Sequence, residues 1–311
     1  MNPSIVSDLP LESPAIVPPP ITQTRPMYWS IRRELWENRS VYLAPLAVAA
    51  FVLFVMLIGT LSLPKKFRNL PNLEPAKQHA VVTKPYNFAP APIMFSTFLV
   101  GLIYALDALY GERRDRSILF WKSMPVSDTT SVLAKAAIPM VVLPLIGLVL
   151  SIVTSTILFL VSNAWLVMNG VSPAPLWREV HVILEPIIMA YGLGVHALWF
   201  APIYGYLLLV SAWARRTPFL WAVLPPVAIG MVERLSMGST HFGQFVKWRW
   251  AGAMATAFGH TGTSQDVPNI ESLSDLTPGT FLTTPGLWIG LFFMAACLAA
   301  AVRLRRNREA I

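Results

Sequence analysis

Long apolar runs separated by short charged breaks set the pattern of this chain. Taking about 20 apolar residues per bilayer crossing, six spans are read: residues 41–63, 92–110, a stretch within 132–168, another within 180–213, then 218–232 and 286–302. The fourth run is 34 residues long, about 51 Å as a helix at 1.5 Å per residue. Neither middle run has a polar break suited to two crossings. Tilted or kinked helices projecting beyond the lipid are therefore predicted, with Pro186 and Pro202 as kink points in the fourth. The predicted fold class is an all-α integral membrane protein with six transmembrane helices.

A different period precedes the first span. In MYWSIRRELWENRS, Tyr28, Ile31 and Leu35 recur at helical spacing, Trp29 and Trp36 lie on a neighbouring flank, and Arg32, Arg33, Glu34 and Glu37 fall opposite. This predicts an amphipathic helix over 27–40 lying in the membrane surface with its aromatics at headgroup depth. A short soluble helix is the alternative, disfavoured because Trp is enriched at that depth. Residues 1–26 carry seven prolines and no apolar stretch of signal-peptide length. They read as a disordered tail, leaving insertion to an internal span. Residues 41–311 then form the six-span domain.

Composition agrees. The 311 residues are 55% hydrophobic and 13% charged, against roughly 25% charged in soluble domains. The net charge of +8 could suggest nucleic acid, but the basic residues are scattered over short loops beside apolar runs, where they set orientation. Nucleic acid is not expected as a partner; the lipid bilayer is. Of the 24 Lys and Arg, fifteen fall on the side that holds both termini and nine on the other, which predicts cytoplasmic termini. Lys65, Lys66 and Arg68 oppose that assignment from the outer side. Cys297 is the single cysteine, so an intrachain disulfide or CxxC site is excluded.

The densest charge cluster lies between two apolar runs, in ALYGERRDRSILFWKSMPVSDTTSVLAKA. An ordinary loop whose arginines only enforce topology would account for the charge alone. However, Ile118, Leu119, Phe120 and Trp121 can form an amphipathic turn after it, Pro125 supplies a stop, and Ser127 or Asp128 an N-cap before the third span. Exposed aromatics beside charges of both signs suit contact with a protein surface.

LYGERRDRSILFWKSMPVSD followed by LAK, with LLLVSAWARRTPFLWAVLPP at 207–226, resembles bacterial ABC transporter permeases of the type-2 class, whose fold is that of the type V exporters. The resemblance covers most of the chain from about residue 27. It implies the membrane subunit of an ABC exporter in the bacterial inner membrane, working with a second permease copy or a related permease. It also implies that 111–128 is a coupling element docking on a separate ATPase subunit and that 27–40 is the connecting helix, including Trp29, Arg32, Arg33 and Trp36. Glu112, Arg113, Arg114, Asp115 and Arg116 would then give register and steering, and Phe120 and Trp121 buried contact area. The chain contains no GxxxxGK[ST] phosphate loop, so no cofactor is expected in it; ATP and Mg would belong to the partner.

Within the apolar runs, ionisable residues are candidate functional positions. Glu185, His196 and Glu233 are read as possible translocation or gate residues, against snorkelling or local pairing for the glutamates and packing for His196. Asp107 is expected to pair with an arginine of the following loop. Ser151, Thr154 and Ser155 share one face of the third span, where packing is expected. Residues 235–285 could hold re-entrant helices or a surface helix, with Lys247 and Arg249 weighing on the choice. Two other functions compete: a non-catalytic membrane scaffold or assembly factor, and an intramembrane hydrolase. The second is disfavoured by five dispersed histidines and the lack of HExxH.

Overall fold

A computed structural model describes residues 25–122, 126–181, 183–258 and 273–307. The proline-rich residues 1–24 and the predicted turn at Pro125 lie outside the described residues. Every regular element among them is helical. Six stretches are long and apolar enough to cross a membrane: Ser40–Thr60, Pro75–Arg114, Asp128–Met168, Ala174–Trp213, Pro218–Met237 and Pro285–Asn307. The chain is a multi-pass membrane protein, in the order that the apolar runs predict.

A first helix, α1 (Pro26–Glu37), leads into α2 (Ser40–Thr60), the first span. At the far end of α2 come the short α3 (Leu63–Arg68) and α4 (Pro75–Phe88), which runs on into α5 (Pro90–Asp107). The charged loop folds as two short helices, α6 (Tyr110–Arg114) and α7 (Ser117–Lys122). The third crossing is built from α8 (Asp128–Ala137) and α9 (Leu143–Met168), joined by one wide π-helical turn over Ile138–Val142. Pro139 and Pro144 lie at that junction and cannot donate the usual i→i−4 bonds, which is a physical reason for the wider turn.

Beyond α10 (Ala174–Glu179) lies α11 (Leu184–Trp213), the longest element. Pro202 is inside α11, but Pro186 sits in its first turn, where no backbone N–H is needed; a kink at Pro186 therefore does not arise. The chain continues through α12 (Pro218–Met237), α13 (His241–Ala257), α14 (Pro278–Thr283) and α15 (Pro285–Asn307).

Close approach of small residues packs this bundle. A methyl group at Gly205 of α11 would lie 3.1 Å from Met294 Cα on α15, and one at Gly147 of α9 would lie 3.0 Å from Thr97 of α5. Ser151 and Thr154 are buried on α9, the packing role expected for them. One apolar cluster joins Val41, Tyr104, Val132, Leu208 and Ala301 at the end holding α1 and the last turn of α15. A second joins Leu63, Phe67, Tyr86, Phe159 and Leu176 at the opposite end.

In α13, Arg249 is buried; its guanidinium donates to the Trp199 and Gly286 carbonyls, while Trp199 Nε1 donates back to the Arg249 carbonyl at 2.7 Å. Trp250 meets Phe98 and Phe200 at 5.7 and 6.1 Å. Because Trp199 lies midway along the 30-residue α11, α13 packs against the middle of the fourth span rather than across its end. Residues 259–272 of the predicted re-entrant region lie outside the described residues.

Candidate functional site

Charge and apolar spacing conflict in three of the elements, and the conflict locates the site. Glu34 follows Ile31 by three positions on α1, Lys135 lies on the same side of α8 as Val132 and Ser131, and Arg305 follows Ala301 by one turn of α15. All of these residues are buried or half-buried, with Glu34 at 0%, Lys135 at 2% and Arg305 at 4% exposure. Isolated, such charges would be prohibitively costly to bury. They are instead assembled into one ionic cluster beneath the charged loop.

Lys135 Nζ donates to both Glu34 oxygens, at 2.9 and 3.0 Å, and lies 3.1 Å from Glu112 Oε1. Tyr104 of α5 donates its hydroxyl to Glu34 Oε2 at 2.7 Å, and Arg33 Nη2 donates to Glu34 Oε1 at 2.6 Å. The guanidinium of Arg305 pairs with Glu112 through Nη1 and with Asp128 through Nε, the latter at 3.1 Å. Three acids thus face three bases drawn from α1, α6, α8 and α15, with α5 adding a neutral donor. Burial raises the Glu34 carboxyl, but the Lys135 charge and the bonds from Tyr104, Arg33 and Lys135 outweigh it and hold it below the usual carboxylate value.

Arg113 makes a second set of connections. Its Nη2 donates to the Ser211 and Ala214 carbonyls, both at 2.7 Å, at the C-terminal end of α11. Ser211 Oγ in turn accepts from the Leu109 and Tyr110 N–H groups at 3.0 Å. The break between α5 and α6 is therefore satisfied by α11, and the arginine caps carbonyls that a helix end leaves open.

These contacts correct part of the expected coupling surface. Glu112 and Arg113 are buried inside the chain, where they join helices, and are not presented to a partner. Glu34 likewise belongs to the inner face of α1, not to a charged outer face. The outer surface of the loop holds Arg114, Asp115, Arg116, Leu119 and Phe120. Ile118 anchors α7 at 1% exposure, while Phe120 is 59% exposed. Trp121 is half-buried beneath the Arg33 guanidinium, 4.0 Å from the ring centroid, and meets Phe120 edge-on. Arg114 lies 2.9 Å from Asp115 and 4.0 Å from Asp107, the loop pairing expected of Asp107. Ser127 caps α8, its Oγ accepting from Thr130 N–H at 3.1 Å.

On α1, Trp29 and Trp36 are exposed and flank Arg32, whose guanidinium lies 5.3 and 4.6 Å from the two rings. This aromatic flank adjoins the loop, because Arg33 touches both Glu112 and Trp121. The outer flank of α1 and the charged loop thus form one continuous surface.

The three residues read as gate candidates are not brought together. Glu185 lines a small recess with Tyr86, Ser155 and Met189. His196 lies 3.2 Å from the Tyr204 hydroxyl among Phe98 and Phe200, the packing alternative. Glu233 accepts from Ser239 Oγ and from the His241 and Phe242 N–H groups at 2.7 to 2.8 Å. It caps the start of α13, a local pairing of the kind weighed against the gate reading. Among the described residues, no three His, Cys, Asp or Glu side chains are grouped as metal ligands would be. No family model, curated protein or solved structure matches this chain.

Proposed function

We propose that this chain is the transmembrane subunit of an ABC exporter, docking on a separate ATPase through α7 and the exposed flank of α1. One observation carries the reading: the surface helix α7, with exposed Leu119 and Phe120, directly follows α6, whose buried Glu112 and Arg113 tie the loop to α1, α8, α11 and α15. Displacement of α7 by a partner would be passed directly to the spans, since buried ion pairs cannot be stretched cheaply. Arg114, Asp115 and Arg116 supply steering charges at the rim.

ATP and Mg belong to the ATPase partner in this reading, and the path forms between two copies or between this chain and a related permease. The span with most surface available to a second chain is α12, in which only Ala222 is buried. The proposed setting is the bacterial inner membrane, with both termini on the ATPase side.

A mild-detergent pull-down of tagged protein tests the proposal. Wild type is expected to retain an ATPase, and Phe120→Ala combined with Arg114→Glu is expected to lose it while eluting as a folded protein. Absence of any ATPase from well-folded wild type in several detergents would reject the reading in favour of a membrane scaffold.

A further inference from the structure

At the end of the bundle opposite the ionic cluster, four elements enclose an apolar cleft of about 620 Å³, within the range of roughly 300–1,000 Å³ typical of small-molecule sites. Its walls follow helical spacing. From α2 come Met56, Gly59 and Thr60, and from α9 Leu158 and Ser162. One face of α4 contributes Lys77, Val81, Lys84 and Phe88, at spacings of three and four residues. Lys66 of α3 completes the rim. Three lysines thus reach one apolar cleft from two separate elements.

Their pairing is incomplete. Lys77 is 2.9 Å from Glu74, with both side chains mostly exposed. Among the described residues, neither Lys66 nor Lys84 forms an ion pair. Snorkelling alone would explain one lysine near a span end, but not three directed at the same cleft. Two buried hydroxyls, Tyr86 Oη and Ser162 Oγ, lie near one another in the cleft wall. Gly59 leaves open space, since a methyl group there would meet nothing within 4 Å.

We propose that this cleft binds an anionic amphipath from the bilayer, its acyl chain along Met56, Val81 and Leu158 and its acidic head between Lys66 and Lys84. Positive charge at the level where α2 ends meets a phosphate or carboxylate at headgroup depth, and the apolar walls continue the hydrocarbon region. The site is separate from the proposed ATPase surface and does not depend on that reading.

The test uses purified full-length protein in mixed micelles containing dioleoylphosphatidylglycerol, oleate and dioleoylphosphatidylcholine, with retained lipid measured by mass spectrometry. Wild type is expected to retain an anionic probe over phosphatidylcholine, and the two anionic probes distinguish a phosphate head from a carboxylate. Lys66→Gln with Lys84→Gln should weaken that retention by about tenfold, about 1.4 kcal/mol. Gly59→Phe, which fills the cleft and leaves every charge in place, should lower retention of the same probe. Equal retention of phosphatidylcholine by wild type, or wild-type preference in both variants at unchanged melting temperature, would overturn the proposal.

Discussion

The two ends of this bundle use lysine in opposite ways. At the end holding α1 and the last turn of α15, Lys135 is buried and bonded to two carboxylates. At the other end, Lys66 and Lys84 are exposed beside an apolar cleft. The first arrangement fixes helices to one another, because a buried charge without its partners is costly. The second leaves charge available to a ligand, because exposed lysines add little stability of their own. Position relative to apolar surface, not residue type, separates the structural from the receptive use of the same side chain.

The largest break in this contrast should come from Lys135→Met. Glu34 and Glu112 would lose the more deeply buried of the two cations they share, Arg33 remaining, and a loss of about 3–5 kcal/mol is expected, read as a lower thermal midpoint in detergent. Adding Glu34→Leu should recover part of the loss, since an apolar pair removes the uncompensated charge. Tyr104→Phe removes one donor to a buried carboxylate and should cost about 1.5–3 kcal/mol by the same measurement.

Acid sharpens the comparison further. Folding holds the Glu34 carboxyl below its ordinary value of 4.5. Its stabilising contribution is fully present above that value and is lost as pH falls through the lowered one. Glu37, raised by burial despite Arg33 nearby, acts in the opposite sense and is more exposed. Thermal midpoints should therefore fall on acidification below about pH 4.5 in wild type, and Lys135→Met should show a weaker fall. The smallest effect belongs to the cleft: Lys66→Gln with Lys84→Gln should alter stability by no more than about 0.5 kcal/mol, while changing lipid retention.

Hydrophobic periodicity made the six spans legible, as run length and bilayer thickness leave few alternatives. Ser127 as the α8 cap and the Asp107–Arg114 pairing were legible for the same local reasons. The ionic cluster was not read, because topology counting treats every Lys and Arg as a loop charge. Lys135 and Arg305 entered that count although their positions on apolar helix faces distinguished them. Glu34 carried the same signal one turn from Ile31. Which carboxylate meets which base depends on bringing α1, α6, α8 and α15 together, a long-range fact absent from local spacing. The cleft was hidden for the same reason, although Lys77, Val81, Lys84 and Phe88 marked one face of α4.

The claim that the loop and the spans move as one body is tested most directly by a double-mutant cycle between Glu112 on α6 and Arg305 on α15. Glu112→Gln, Arg305→Met and the double variant would be compared by unfolding free energy in one detergent. A coupling of about 0.5–3 kcal/mol is expected for residues sharing a buried network. Additivity within roughly 0.3–0.5 kcal/mol would contradict it, leaving the charged loop mechanically separate from the last span.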